Sequence, residues 1–240
     1  MRVLSVVVPA YNEEKFIGAM IEEILKVDTE SSGFTKEIIV VNDGSKDGTE
    51  AVVRRYPQVT LINQQPNQGR GAALRRGTEA ATGDYILFQD ADLEYSPADY
   101  PALLAVVKSG DRVVYGNRLA GVIREFGRGI FPGKHPRQAV APWGAALVIR
   151  AWTSVLVGHW VPDMYTGLKL YPAAPLQKLT LETSGFELDH EITVKLYRAG
   201  LKFGEAPIRY NPRSVEEGKK IRPMDGVIAL WTVLRYRFKN

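Results

Sequence analysis

The chain has 240 residues, 45% of them apolar and 24% charged, and Lys+Arg exceed Asp+Glu by 31 to 27, a net charge of +4. That length suits one elaborated α/β domain, the composition excludes wholesale disorder, and the charge is too small to argue for a nucleic-acid protein. With no cysteine, a disulfide scaffold, a thiolate metal site and a cysteine nucleophile are excluded, and His135, His159 and His190 are too scattered for a zinc-hydrolase helix.

Residues 3–8 are a continuous β-branched run, the mark of a strand buried on both faces. The run is too short for a secretory leader and lacks a small-residue cleavage site. Phe16, Ile17, Met20, Ile21, Ile24 and Leu25 fall at helical spacing, predicting a helix over 13–27. Then follow a buried strand at 37–41, a short helix at 49–56 and a strand at 59–62. An Ala-rich helix at 71–81 leads to a strand at 85–88, a helix at 97–108 and a strand at 112–115. Repeated strand–helix–strand units imply a parallel sheet with right-handed crossovers.

After Gly116 the rhythm breaks. Residues 117–142 read as a long glycine-rich loop carrying Arg118, Arg124, Arg128, Lys134 and Arg137, and a loop of this length is usually functional. A helix is predicted at 143–157, a strand at 167–171, a helix at 189–199 and a strand at 203–208. A charged loop at 211–222 precedes an amphipathic helix at 224–238 with a basic end. The apolar stretch 143–161 contains Arg150, which is expensive in a bilayer centre, so it is not expected to span a membrane.

In open parallel sheets, ligands bind at the carboxyl ends of the strands. The residues at those ends here are polar, acidic or glycine-containing. Asp90-Ala91-Asp92 follows a buried strand, and two carboxylates one residue apart can face one hard cation, Mg²⁺ or Mn²⁺, with Glu94 as a further oxygen ligand. A solvated acidic loop is the plainer reading of the tripeptide alone; its place after a buried strand favours the metal. Asp43 can accept hydrogen bonds from a nucleobase or ribose, whereas Ser45, Asp47 and Thr49 read as turn and capping residues. Gly69-Arg70-Gly71 opens a helix whose N-terminus favours anions, but its spacing is neither a dinucleotide fingerprint nor a P-loop.

Four motifs occur in order: Val-Val-Val-Pro-Ala-Tyr-Asn-Glu-Glu at 6–14, Val-Asn-Asp-Gly-Ser-Lys-Asp-Gly-Thr at 41–49, Asn-Gln-Gly-Arg-Gly-Ala-Ala at 67–73, and Gln-Asp-Ala-Asp-Leu-Glu at 89–94. Together they resemble glycosyltransferase family 2, inverting nucleotide-sugar enzymes of GT-A fold. Gly116-Asn117-Arg118, Asp163 with Gly167-Leu168-Lys169, Gly185-Phe186-Glu187 with Glu191, and Arg213 with Lys219-Lys220 resemble its polyprenyl-phosphate hexosyltransferase branch, the dolichol-phosphate mannose synthase type. The resemblance implies a Rossmann-like, mostly parallel sheet flanked by helices, with a C-terminal amphipathic helix. It implies one catalytic domain over 1–240: a nucleotide-sugar half (1–116), an acceptor half (117–222) and the terminal helix (223–240). Pro9, Tyr11, Glu13, Asp43, Arg70 and Asp90 would hold the donor. Asp90, Asp92 and Glu94 would hold Mg²⁺ or Mn²⁺. Glu94 stands where mannose synthases often carry Gln, and Asn42 replaces a common Asp.

The reaction so implied is one in-line displacement at the anomeric carbon, with a nucleoside diphosphate leaving and the metal neutralising its charge. Asp92, Arg118 and Asp163 are the expected catalytic residues. A lipid phosphate is already mostly ionised at neutral pH, so it needs cations and no base. Arg118, Arg213, Lys219 and Lys220 are the expected phosphate ligands. The donor expectation favours GDP-mannose over UDP-glucose. A saccharide hydroxyl acceptor, with Asp163 or Glu191 as base, is the second reading, and a nucleotide-binding module without transfer is the third. His190 reads as a packing residue. A polyprenyl or dolichyl phosphate lies in a bilayer, so the enzyme is expected in the cytoplasm, peripheral at the membrane's cytoplasmic face, or as the soluble part of a longer membrane protein. The helix at 224–238, with Trp143, Trp152 and Trp160, suits that interface, though covering the sheet is the plainer role of these aromatics.

Overall fold

The computed structural model describes residues 1–107, 110, 112–121, 136–211 and 223–239. Seven strands form one sheet in the order β3-β2-β1-β4-β6-β5-β7. They are β1 Arg2–Ala10, β2 Phe34–Asp43, β3 Val59–Gln64, β4 Tyr85–Phe88, β5 Val113–Asn117, β6 Lys169–Pro172 and β7 Phe203–Pro207. All described pairings are parallel except those of β6, which runs antiparallel to both β4 and β5. The helices are α1 Ile17–Lys26, α2 Thr49–Val53, α3 Arg70–Ala80, α4 Tyr100–Val107, α5 Pro136–Val157, α6 Ala173–Gln177, α7 Leu188–Arg198 and α8 Pro223–Phe238.

The β-branched runs are continuous because both faces of the sheet are covered. Val6 and Val8 pack on one face, with Ile17, Met20, Ile21 and Ile24 of α1 and Leu103 and Leu104 of α4. Val7 packs on the other, with Ala73 and Leu74 of α3 and Leu188 and Ile192 of α7. Each buried aliphatic side chain contributes about 1.5–3 kcal/mol relative to exposure.

Three expectations are corrected. Residues 136–142, expected in the long loop, begin α5. The short α6 was not anticipated, since five residues carry too little period to read. The strand expected at 167–171 enters between β4 and β5 in the opposite sense. Its N-terminal end therefore arrives at the edge where the parallel strands end, bringing residues 163–169 to the face where ligands bind.

Helix α8 buries Ala229, Thr232, Val233 and Tyr236 and exposes Met224, Val227, Ile228, Trp231 and Phe238. Alongside it, α5 exposes Leu147, Val148, Trp152 and Val155. Arg150 does not face a bilayer: its Nε donates to Val161 O at 2.7 Å and its Nη2 to Glu205 Oε1 at 3.3 Å. Among the described residues no helix is long and apolar enough to cross a membrane.

Candidate active site

The loops after β1 and β2 hold each other. Asn12 N donates to Ser45 Oγ at 2.9 Å, Lys46 N to Asn12 Oδ1 at 2.8 Å, and Glu13 N to Thr49 Oγ1 at 2.9 Å. Asp47 accepts from Thr49 N at 3.0 Å. Asn42 bridges β3 and the turn: its Nδ2 donates to Asn63 Oδ1 at 2.9 Å, and its Oδ1 accepts from Ser45 N at 3.2 Å. Pro9, Tyr11 and Glu13 thus stand on a braced rim at the end of β1.

Asp43 anchors the next turn. Its carboxylate accepts from Gln64 Nε2 at 2.7 Å and from the backbone N of Gln68 and Gly69 at 2.8 Å each. The side chain thus shapes the 65–69 turn and still has acceptor capacity left on Oδ2.

The helix start at Gly69-Arg70-Gly71 is crossed by another segment of the chain. Ala72 N donates to Ser184 O at 3.1 Å. A Cβ at Gly69, where φ is +98°, would stand 2.5 Å from Ser184 O, and one at Gly71 would stand 2.7 Å from Gly185 O. The glycines admit a crossing strand of the protein's own backbone. Arg70 spends its guanidinium internally: Nε donates to Asp90 Oδ1 at 2.8 Å and Nη1 to Asp189 Oδ2 at 3.1 Å. Burial opposes its charge, but Asp90 and Asp189 outweigh that and raise its pKa further. Arg70 bridges these two carboxylates with Nε and Nη1.

Asp90 and Asp92 follow β4 as expected. Asp92 Oδ1 accepts from Glu94 N at 3.2 Å across Leu93, which takes a left-handed φ of +59°. Glu94 O accepts from Asn211 N at 2.9 Å. Among the described residues no three carboxylates or histidines converge as a ready-made metal cage. Two strand-end carboxylates nevertheless fit a hard cation, because diphosphate oxygens and water complete such sites.

Arg118, directly after β5, meets Asp163 in a bidentate pair, Nε to Oδ2 at 2.6 Å and Nη2 to Oδ1 at 2.9 Å. Both side chains are about nine-tenths buried, and the guanidinium lies 5.1 Å from the Tyr210 ring centre. Burial alone would raise the Asp163 pKa, but Arg118 outweighs it and holds the carboxyl below its ordinary range. Asp163 is therefore a poor base. Arg213, Lys219 and Lys220 lie outside the described residues.

Glu191 spends its carboxylate inside the fold. Fully buried, it accepts from Thr183 N at 2.9 Å, Glu182 N at 3.0 Å and Lys195 Nζ at 2.6 Å. The sequence reading missed its neighbour two residues back. Asp189 Oδ2 pairs with Lys169 Nζ at 3.0 Å as well as with Arg70, giving a buried chain Asp90–Arg70–Asp189–Lys169. Lys169, with no exposed surface, also donates to Thr166 O at 2.5 Å. An acid at the start of a helix and a lysine at the start of a strand were the available signal, and a fixed partner for Arg70 was the missing one.

A family model, glycosyl transferase family 2, matches residues 5–136. A dolichyl-phosphate beta-glucosyltransferase, ALG5A of Trichomonas vaginalis, is 31% identical over 96% of this chain and 71% of its own. The low-salt glycan biosynthesis hexosyltransferase Agl6 of Haloferax volcanii is 29% identical over 99% of this chain and 53% of its own. Among solved structures, glucosyl-3-phosphoglycerate synthase from Mycobacterium tuberculosis, in complex with UDP, superposes with a TM-score of 0.70 at 23% identity, covering 98% of this chain and 80% of that one. The architecture is the GT-A fold.

Proposed function

The chain belongs to glycosyl transferase family 2, and from that premise we propose that it transfers glucose, with inversion, from a nucleotide-activated donor to a dolichyl or polyprenyl phosphate at a membrane surface. The observation that carries the acceptor is the Arg118–Asp163 pair. Its carboxylate is neutralised by the guanidinium, so the site offers a poor base for a hydroxyl, whereas a phosphate monoester arrives already ionised. The names of the curated relatives support glucose over the mannose favoured by the motifs, which makes UDP-glucose the first donor to offer.

Asp92 and the second oxygen of Asp90 would hold Mg²⁺ or Mn²⁺ with the donor diphosphate. When bound, the ion neutralises the charge that develops on the leaving diphosphate. Arg70 keeps Asp90 aimed, and Asp43 keeps the 65–69 turn in place beneath the nucleotide. Arg118 orients the acceptor side, with Arg213, Lys219 and Lys220 as further phosphate ligands. The apolar faces of α5 and α8 form a surface suited to a membrane interface, with Arg235 and Lys239 beside it paired to Glu182. The peripheral, cytoplasmic-face location belongs to the same reading.

The test is a transfer matrix. UDP-glucose, GDP-mannose and UDP-N-acetylglucosamine are each offered with a short polyprenyl phosphate in detergent, with Mn²⁺, Mg²⁺ or EDTA. The expected result is a glucosyl lipid from UDP-glucose alone that disappears with EDTA. Donor hydrolysis without lipid product in every condition would overturn the acceptor.

A further inference from the structure

Buried polar groups in folded proteins almost always find partners, and each one left without costs about 1–3 kcal/mol. Among the described residues four buried side-chain atoms lack one: Thr78 Oγ1, Tyr165 Oη, Asp189 Oδ1 and His190 Nδ1. Three of the four belong to one neighbourhood. The Tyr165 and His190 rings meet edge-on with centres 5.2 Å apart, and Asp189 adjoins His190 at the start of α7.

The position of these three is specific. Tyr165 is tied to the acceptor side, since its backbone N donates to Asp163 Oδ1 at 3.2 Å, the carboxylate that Arg118 grips. Asp189 is tied to the donor side through Arg70, which holds Asp90. An in-line displacement places the sugar ring between the leaving diphosphate and the attacking phosphate. Tyr165 and Asp189, with His190 beside them, lie on the elements that join the two sides, the stretch a bound ring would span.

We propose that Tyr165 Oη, Asp189 Oδ1 and His190 Nδ1 complete their hydrogen bonding on the hydroxyls of the donor hexose and thereby select the sugar. The inference rests on the hexosyl-transfer reading above and names residues that the sequence motifs did not assign to the donor. The chemistry suits a polyol. Tyr165 Oη can donate, Asp189 Oδ1 can only accept, and burial depresses the His190 pKa to about 4, so its ring is neutral at pH 7 and matched to a hydroxyl more than to a phosphate.

The experiment compares Tyr165→Phe and His190→Leu with the unaltered protein in calorimetric binding of UDP and of UDP-glucose with Mn²⁺, together with ligand-free thermal unfolding. Both variants are expected to bind UDP-glucose about tenfold more weakly and UDP within twofold of the unaltered protein. Removing the orphaned hydroxyl should leave the ligand-free Tm of Tyr165→Phe unchanged or raised, because no hydrogen bond is lost. Equal losses for UDP and UDP-glucose, no loss for either, or a lowered ligand-free Tm in Tyr165→Phe would overturn this inference and leave the proposed transfer standing. Failure of the unaltered protein to bind any nucleotide sugar would overturn both.

Discussion

Arg118 and Asp163 close a two-pronged hydrogen-bonded pair across the gap between the end of β5 and the entry to β6. The contact joins a residue after a parallel strand to one before the antiparallel strand. On the proposed reading it fixes the acceptor side of the site before any ligand arrives.

Breaking the pair from one side leaves a buried charge without a counter-ion. Asp163→Ala should cost roughly 3–5 kcal/mol of stability, read as a lowered urea midpoint. The double variant Arg118→Met/Asp163→Leu should recover much of that loss while abolishing transfer. A double variant as unstable as the single one would mean that the pair's charges were not the issue.

The pair also sets a pH signature. Its carboxyl titrates below its ordinary value in the folded protein, so its stabilisation is fully present above the unfolded pKa of about 3.9 and is lost as pH falls through the lower folded value. From pH 5 to 8 this contribution should be flat. Transfer should instead fall on the acid side near pH 6, as the acceptor phosphate takes up its second proton. An acid limb that disappears in Asp163→Asn would restore Asp163 as a base.

Glu191 supplies a control for the hydroxyl-acceptor reading. Glu191→Gln removes charge-assisted bonds to Lys195 and to the 182–183 backbone, worth roughly 1.5–3 kcal/mol, and should lower Tm. KM and kcat for lipid glucosylation at a permissive temperature should stay within about twofold. A selective collapse of kcat would put Glu191 back among the catalytic groups.

Gly71→Ala should destabilise by about 1–3 kcal/mol, because the new methyl meets the backbone of Ser184 and Gly185 with no flexible side chain to yield. Gly144→Ala, where nothing lies within 4 Å of the added carbon, should not.

The apolar face is tested by charge. Trp231→Glu combined with Val148→Glu should reduce co-sedimentation with anionic vesicles several-fold with little change in Tm, since both side chains are largely exposed. Undiminished binding would place the membrane contact elsewhere.

Much of this was legible in the residues. The runs at 3–8 and 37–41 declared strands covered on both faces, and Ile17, Met20, Ile21 and Ile24 declared the face of α1. Asp90 and Asp92 could be placed because strand ends are where such sheets bind ligands. What could not be read was who meets whom across long separations. Nothing local in 167–171 states that the strand enters backwards. Nothing in Gly69 or Gly71 announces that Ser184, over a hundred residues later, will fill the space they leave. For that reason the hydrogen bonds that Asp43 and Arg70 make within the protein could not be foreseen.

The late arrival of β6 has a consequence for how the chain can be divided. Its residues 169–172 are the described link between β4 and β5, and β5 otherwise pairs only with β7. A fragment ending at residue 117 would carry the donor motifs yet leave β5 with no neighbour on either side and β4 with a bare edge. The polypeptide must be translated past Pro207 before the sheet can close, so residues 2–117 cannot complete their own sheet.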